Sequence, residues 1–167
     1  MTTSTPSIRA PDHGRQIPRE KSLRGFDFKA NPSIDPAVVH TLAKCEWVKK
    51  GQPLCLIGDS GTGKSHLLIA LGTEAAISGF RVKYTLATKL ANELVEAAEL
   101  LFQVLTEREE KASVAIAYNE FFSGWTKTFT DPRLCAAIVD RLTFGGTIIE
   151  TGTDSYRLAQ STKLVNA

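Results

Sequence analysis

Eight consecutive residues carry the clearest chemical signal in the chain. They fit the spacing G-x-x-x-x-G-K-[ST] of a phosphate-binding loop: Gly58, Asp59, Ser60, Gly61, Thr62, Gly63, Lys64 and Ser65. Glycines let the backbone curl until successive N–H groups point inward around phosphate oxygens. Lys64 supplies a positive charge for β- and γ-phosphates, and the Ser65 hydroxyl is suited to ligate Mg²⁺. The pattern therefore predicts a site for a nucleotide and Mg²⁺.

The residues on either side of this loop supply the context that the pattern requires. The apolar run 54–57 predicts a short buried strand, and the helix-forming residues 66–78 predict a helix directly after the loop. The N-terminus of that helix would present its positive end to the same anion. The alternative is a glycine-rich turn that caps an ordinary helix, but it does not explain why every fixed position of the pattern is matched.

The remaining elements predict an α/β fold around a short parallel sheet. Strands are expected near 54–57, 81–85, 113–118 and 147–150, and helices over 35–50, 88–111 and 131–142. Asp35-Pro36 and Asp131-Pro132 are N-cap and first-turn pairs, which mark the start of the first and last of these helices. Layers of helices on both faces of the sheet would make a three-layer sandwich.

Length and composition favour one soluble globular domain with short tails. The chain has 167 residues, which suits one domain over 21–158, a basic leader over 1–20 and a polar tail over 159–167. The net charge is +2, although residues 1–25 contain five basic and two acidic side chains, an excess that could contact DNA. No apolar run reaches membrane-spanning length. Three scattered cysteines indicate reduced core thiols in a cytoplasm.

The order of these segments resembles that of the IstB-like ATP-binding proteins, transposition helper ATPases of the AAA+ class that are related to bacterial helicase loaders. The likeness runs through FDF (26–28), PSID (32–35), the loop and GFRVKYTLATKLANELVEA (79–97). It resumes in ELLFQVLTER (99–108), IAYNEFFSGW (116–125), DPRLCAAIVDRL (131–142) and SYRL (155–158). The resemblance implies an AAA+/RecA-like P-loop fold, ATP as ligand, assembly of copies on DNA, and a transposase as partner.

Between these two blocks the family pattern has a stretch that this chain lacks, near residues 97–100. It contains the Walker B strand, whose acidic pair holds Mg²⁺ and orients the attacking water. The expected helix 88–111 would then be two family helices joined where that strand is missing. Asp140 and Glu150 are the candidate substitutes, but Asp140 falls on an expected helix and Glu150 on the family's last strand. ATP hydrolysis is therefore expected to be impaired.

Four residues outside the loop are assigned by resemblance to the site. Asn119 matches the polar residue that ends the family's sensor strand and helps to position the water, although it could equally be a turn residue. Arg141 matches an arginine that acts on the ATP of a neighbouring subunit, and Arg157 would contact nucleotide; both could instead form surface salt bridges. His66 follows the loop as in the family.

Three functions compete on the sequence alone. The first is an ATP-binding helper of transposition, and the second is a non-catalytic remnant of such a protein, which explains the missing acidic strand. The third is a small P-loop phosphotransferase, disfavoured because no arginine-rich lid or acceptor-binding aspartate follows the loop. A GTPase is also disfavoured, because the chain has no N-K-x-D motif.

Overall fold

Three parallel strands form the centre of the molecule. The computed structural model describes residues 21–84, 94–108, 112–119, 121, 123–125 and 131–156. Within them lie β1 (Leu54–Ile57), β2 (Ala115–Tyr118) and β3 (Thr147–Glu150), in the order β2-β1-β3. Leu54 pairs in register with Ala115 on one side and with Thr147 on the other. Three of the four predicted strands are thus confirmed.

Helices flank these strands along the chain. They include α1 (Pro36–Ala43), α2 (Glu46–Lys49), α3 (Lys64–Ile77), α4 (Leu94–Arg108) and α5 (Pro132–Thr143), and a 3-10 turn covers Leu23–Gly25. The carboxylate of Asp35 accepts a 2.8 Å hydrogen bond from the N–H of Ala37, and that of Asp131 accepts one of 2.8 Å from Arg133. Both Asp-Pro pairs therefore begin their helices as predicted.

Each face of the sheet is covered by its own apolar cluster. Side chains alternate along a strand, so Leu54 and Leu56 pack with α1 and α3 on one face. On the other face Ile116 and Tyr118 pack against a cluster that includes Trp125, which is fully buried, and residues of α4 and α5. The result is the three-layer α/β sandwich expected from the sequence.

The single helix predicted over 35–50 is wrong, because the chain turns at Cys45. Cys45 adopts a left-handed conformation with φ of 60° and separates α1 from α2. The carbonyl of Leu42 accepts hydrogen bonds from the Cys45 N–H at 3.0 Å and from Nε1 of the Trp47 indole at 2.9 Å. These two hydrogen bonds take the place of those that the next helical turn would make. The break could not be predicted from the sequence, because no glycine or proline lies at this point.

The strand predicted over 81–85 is also not observed: residues 81–84 form no strand, and residue 85 lies outside the described part. Loss of the Walker B strand would either leave a gap in the sheet or make the strand 81–85 pair directly with the strand 113–118. The described strand order ends at β2, and residues 81–84 do not extend it. In the described residues the sheet therefore has three strands and no direct replacement for the missing one.

Helix α4 runs without interruption through residues 97–100, where the family stretch was expected to be missing. It covers 94–108 of the predicted 88–111, a length of roughly 22 Å at ~1.5 Å per residue. Residues 88–93 and 109–111, the leader 1–20, the tail 159–167 and Arg157 lie outside the described residues.

Candidate phosphate-binding site

The loop between β1 and α3 has the tight curvature that its glycines predict. Gly61 and Gly63 have φ of +87° and +91°, in the left-handed region that side chains rarely adopt. A Cβ on Gly61 would collide with the Ser155 hydroxyl, and one on Gly63 would lie 2.8 Å from the Phe26 ring. Backbone angle and close packing therefore both require glycine at these two positions.

Lys64 is the first residue of α3, and its side chain folds back into the loop. It is only 5% exposed. Its Nζ donates hydrogen bonds to the main-chain oxygen of Asp59 at 2.5 Å and to Oγ1 of Thr62 at 3.2 Å. Charged phosphate oxygens are stronger acceptors than a carbonyl or a hydroxyl. A phosphate in the loop would therefore compete for an ammonium that is already held beside it.

A cavity of about 400 Å³ opens above the loop and brings seven predicted site residues together, of which three are the loop residues Ser60, Gly61 and Gly63. Lys64, Ser65 and His66 come from the N-terminus of α3, and Asn119 comes from the end of β2. The carboxyl ends of parallel strands meet at one edge of a sheet, which explains why Asn119 reaches the loop. The cavity is also lined by Lys21, Gly25, Phe26, Asp27, Asn31, Ser60, Gly61, Gly63 and Tyr156.

His66 connects α3 to the segment that precedes α1. Its Nε2 donates a 2.8 Å hydrogen bond to the main-chain oxygen of Ser22, and its ring meets that of Phe26 edge-on with centroids 5.3 Å apart. His66 therefore forms part of the cavity wall and fixes the N-terminal segment over it. The sequence placed His66 at the site, but it did not reveal this contact.

Arg141 lies away from the cavity. It is on α5, and its guanidinium carbon is 4.7 Å from the centroid of the Phe102 ring on α4. This cation–π contact links the two helices that cover one face of the sheet. The contact lies within one chain, so a role of Arg141 at the ATP of a neighbouring copy stays a prediction.

Asn31 and Tyr156 were not predicted at the site, yet they hold the loop from both sides. Asn31 is buried, and its Nδ2 donates a hydrogen bond to the main-chain oxygen of Thr62. The N–H of Tyr156 donates to the main-chain oxygen of Gly61 at 3.2 Å. Asn31 could not be identified from the sequence, because a contact across 31 residues leaves no local signal.

Carboxylates are sparse among the described residues that line the cavity. Asp27 is the only acidic residue among the described lining residues, and its Oδ1 accepts hydrogen bonds from the N–H groups of Lys29 and Ala30 at 3.0 and 3.1 Å. Asp140 on α5 and Glu150 at the end of β3 are exposed and do not line it. No group of three or more His, Cys, Asp or Glu side chains in the described part could hold a metal.

A family model described as IstB-like ATP binding protein matches this chain over residues 13–99 and again over 95–164. The chain belongs to the IstB-like ATP-binding protein family. The two matched segments include the whole phosphate-binding loop and Asn119, and they meet at 95–99. In this IstB-like chain the family match is therefore interrupted at the place where the sequence indicated a missing stretch.

Relatives from insertion sequences share most of this chain. The IS21 ATP-binding protein of Pseudomonas aeruginosa is 32% identical over 181 residues, covering 89% of this chain and 68% of its own length. An insertion sequence ATP-binding protein of Sinorhizobium fredii is 31% identical, with coverages of 84% and 59%. The IS5376 ATP-binding protein of Geobacillus stearothermophilus is 27% identical, with coverages of 87% and 71%.

The alignment lengths show that the IstB-like chain is shorter internally than these relatives. The match to the P. aeruginosa protein extends over 181 residues, whereas 89% of 167 residues is about 149. About 32 positions of the relative (181 less 149) thus have no counterpart in this chain. Together with the break in the family match at 95–99, this difference supports an internal deletion.

A solved structure shares the fold. A crystal structure of a DNA replication initiation factor matches with a TM-score of 0.57 at 20% identity, covering 90% of this chain and 56% of that one. At this identity the likeness concerns the fold alone. In the described residues, no helix has the length and apolar character needed to cross a lipid bilayer.

Proposed function

We propose that this IstB-like chain binds ATP through the loop 58–65 and hydrolyses it slowly. The observation that carries the proposal is the convergence of the loop, Lys64, Ser65 and Asn119 on one cavity at the N-terminus of α3. The inward N–H groups of the loop and the helix end would hold the phosphates. Lys64 would turn from the Asp59 carbonyl toward the β- and γ-phosphates.

The remaining residues of the cavity would orient the bound nucleotide. The Ser65 hydroxyl fits the oxygen-rich ligand set that Mg²⁺ prefers, with phosphate oxygens completing it. Mg²⁺ would neutralise phosphate charge when bound. Asn119, exposed at the end of β2, would hold a water by hydrogen bonding near the γ-phosphate.

Slow hydrolysis is expected because the described lining of the cavity holds one carboxylate, that of Asp27. Hydrolysis needs a polarised water and stabilised charge, and removing one preorganised group of this kind typically lowers the rate by ~10²–10³. Asp27, the described acidic residue at the cavity, already accepts two backbone hydrogen bonds. Asp140 and Glu150 are not at the cavity. ATP binding, in contrast, depends on a contiguous loop that the internal deletion spares.

The test is nucleotide affinity, measured with a fluorescent ATP analogue for the parent chain, Lys64→Ala and Lys44→Ala. Lys44 is exposed and follows α1, so its removal controls for loss of one positive charge. We expect weaker binding only for Lys64→Ala, by about tenfold or more, since charge-assisted hydrogen bonds contribute about 1.5–3 kcal/mol. Equal affinity of Lys64→Ala and the parent chain would overturn the proposal.

As a wider role, we propose that the protein helps transposition by assembling on DNA and contacting a transposase. The support is membership of the IstB-like family and the names of relatives, which are ATP-binding proteins of insertion sequences. Copies would meet so that Arg141 approaches the ATP of a neighbour. The basic leader would contact DNA phosphates, and the three buried free thiols fit a cytoplasmic location.

A non-catalytic remnant is the alternative that a specific observation favours. The family match breaks at 95–99 and α4 passes through that point unbroken, as expected for a gene product that lost an internal segment. A remnant would still bind ATP and slow turnover is expected of both, so contact with a transposase separates the two. A small phosphotransferase is less consistent with the family match.

A further inference from the structure

Two buried hydroxyls join the phosphate-binding loop to the residue that follows β3. Oγ1 of Thr62 and Oγ1 of Thr151 are 2.5 Å apart, and both side chains are fully buried. The residues are 89 positions apart in the chain. Thr151 is anchored in turn, since its N–H donates a 2.7 Å hydrogen bond to the main-chain oxygen of Ile57 at the end of β1.

The neighbouring groups determine the direction of this hydrogen bond. Oγ1 of Thr62 is 2.8 Å from the main-chain oxygen of Asp59, which can only accept, and 3.2 Å from Nζ of Lys64, which can only donate. Thr62 therefore donates its one proton to Asp59 and accepts from Lys64. It can accept one more hydrogen bond, and Thr151 is its donor. Oγ1 of Thr151 is also 3.2 Å from the main-chain oxygen of Ile57, but its 2.5 Å contact with Thr62 is the shorter of the two.

The segment after β3 thus holds two acceptors of the Lys64 ammonium. Thr151 holds the Thr62 hydroxyl, and the main-chain oxygen of Gly152 accepts a 3.0 Å hydrogen bond from the N–H of Asp59. Asp59 and Thr62 are both acceptors for Nζ of Lys64. The position of the ammonium therefore depends on residues that follow the last strand, far outside the phosphate-binding pattern.

We propose that Thr151 is a positioning residue for Lys64, acting through the Thr62 hydroxyl. The inference rests on the proposed ATP binding and adds a residue that the sequence pattern does not contain. A hydroxyl at position 151 keeps Thr62 turned so that its lone pair faces Lys64. Without it, Thr62 can rotate, and the ammonium loses its fixed place beside the phosphates.

Paired substitutions separate the hydroxyl of Thr151 from its packing. Thr151→Val keeps the shape and removes the hydroxyl, whereas Thr151→Ser keeps the hydroxyl and removes the methyl. A comparison of Thr151→Ala with Thr151→Ser measures the effect of the hydroxyl a second time, which is needed if the Thr151→Val variant does not fold. Thr73→Val is the control, because Thr73 makes only a local 2.9 Å bond to Ile69 within α3 among its described hydrogen bonds.

Affinity for a fluorescent ATP analogue is measured for each variant, together with its melting temperature. We expect Thr151→Val to bind about fivefold more weakly, the loss of roughly one hydrogen bond, and Thr151→Ser and Thr73→Val to stay within about twofold of the parent chain. Thr151→Ala should be weaker than Thr151→Ser.

Three results would overturn the inference, and they distinguish failure of the positioning role from failure of the proposed ATP binding. If Thr151→Val binds like the parent while Lys64→Ala does not, the positioning role is wrong and ATP binding stands. If Thr151→Ser is as weak as Thr151→Val, the methyl packing matters instead of the hydroxyl. If Lys64→Ala binds like the parent chain, the proposed ATP binding fails and the role of Thr151 fails with it.

Discussion

The side-chain amide of Asn31 donates a hydrogen bond to the main-chain oxygen of Thr62, in the middle of the phosphate-binding loop. Asn31 is 4% exposed and lies in the turn that precedes α1. Its Nδ2 is also close enough to Gly63 to restrict that position, 3.3 Å from where a Cβ would be. The loop is therefore shaped by a turn that lies well ahead of it in sequence.

Asn31→Ala should destabilise the fold. It would leave the Thr62 carbonyl without this donor in a buried place, which typically costs about 1–3 kcal/mol. Urea unfolding measures the change, with Asn119→Ala as the control. Asn119 is exposed, so its loss should change stability by less than about 0.5 kcal/mol. Equal stability of the two variants would show that the Asn31 bond contributes nothing.

Gly61→Ala should weaken both folding and nucleotide binding. A Cβ there would meet the Ser155 hydroxyl at a positive φ, whereas Gly145 has φ of +65° with no atom within 4 Å of a Cβ. Gly145→Ala therefore reports the backbone strain alone, roughly 1–2 kcal/mol, and Gly61→Ala adds the collision. Thermal melting and ATP-analogue affinity are compared; similar losses in both variants would exclude a role for the packing against Ser155.

The thiol of Cys55 should be unreactive in the folded protein. Burial raises its pKa from 9.0 to about 12, so the folded state keeps a proton that the unfolded chain loses above about pH 9. Stability should therefore fall as pH rises from 9 toward 12, and the thiolate should be nearly absent at pH 8. Thiol titration before and after addition of guanidinium checks this: rapid labelling of Cys55 in the native protein would contradict it.

DNA binding, if it occurs through the basic leader, should weaken steeply with salt. Neutralising about three phosphates predicts a loss of about 40-fold between 50 and 200 mM salt. Fluorescence anisotropy with labelled duplexes of two unrelated sequences gives the salt slope and the sequence preference. The variant Arg9→Glu/Arg15→Glu/Arg19→Glu should bind most weakly. Salt-insensitive or strongly sequence-selective binding would contradict contact through backbone phosphates.

The sequence could predict those parts of the fold that local patterns encode. The strand-loop-helix unit around Lys64, the Asp131-Pro132 helix start and the last strand 147–150 were all found as expected. Spacing alone defines a phosphate-binding loop, since its ligands are consecutive N–H groups.

The rest of the site depends on contacts between distant segments, which a single sequence does not reveal. Three residues reach the loop from other parts of the chain. Thr151 and Asn31 contact Thr62 across 89 and 31 positions, and Tyr156 contacts Gly61 across 95 positions. The break in the helix at Cys45 depends on two hydrogen bonds to the main-chain oxygen of Leu42, from the N–H of Cys45 and the indole of Trp47. The failure of 81–84 to form a strand fits the absence of the neighbour on which such a strand would pack.

Steady-state phosphate release with saturating ATP and Mg²⁺ tests the central proposal most directly. The parent chain should bind the nucleotide and release phosphate hardly above Lys64→Ala. Binding needs the intact loop, whereas hydrolysis needs a carboxylate to orient the water, and Asp27, the described acidic residue at the cavity, already accepts two backbone hydrogen bonds. Asp140→Asn and Glu150→Gln should change nothing. Brisk Mg²⁺-dependent release that either of these two substitutions abolishes would contradict the proposal and assign an acidic residue to the site.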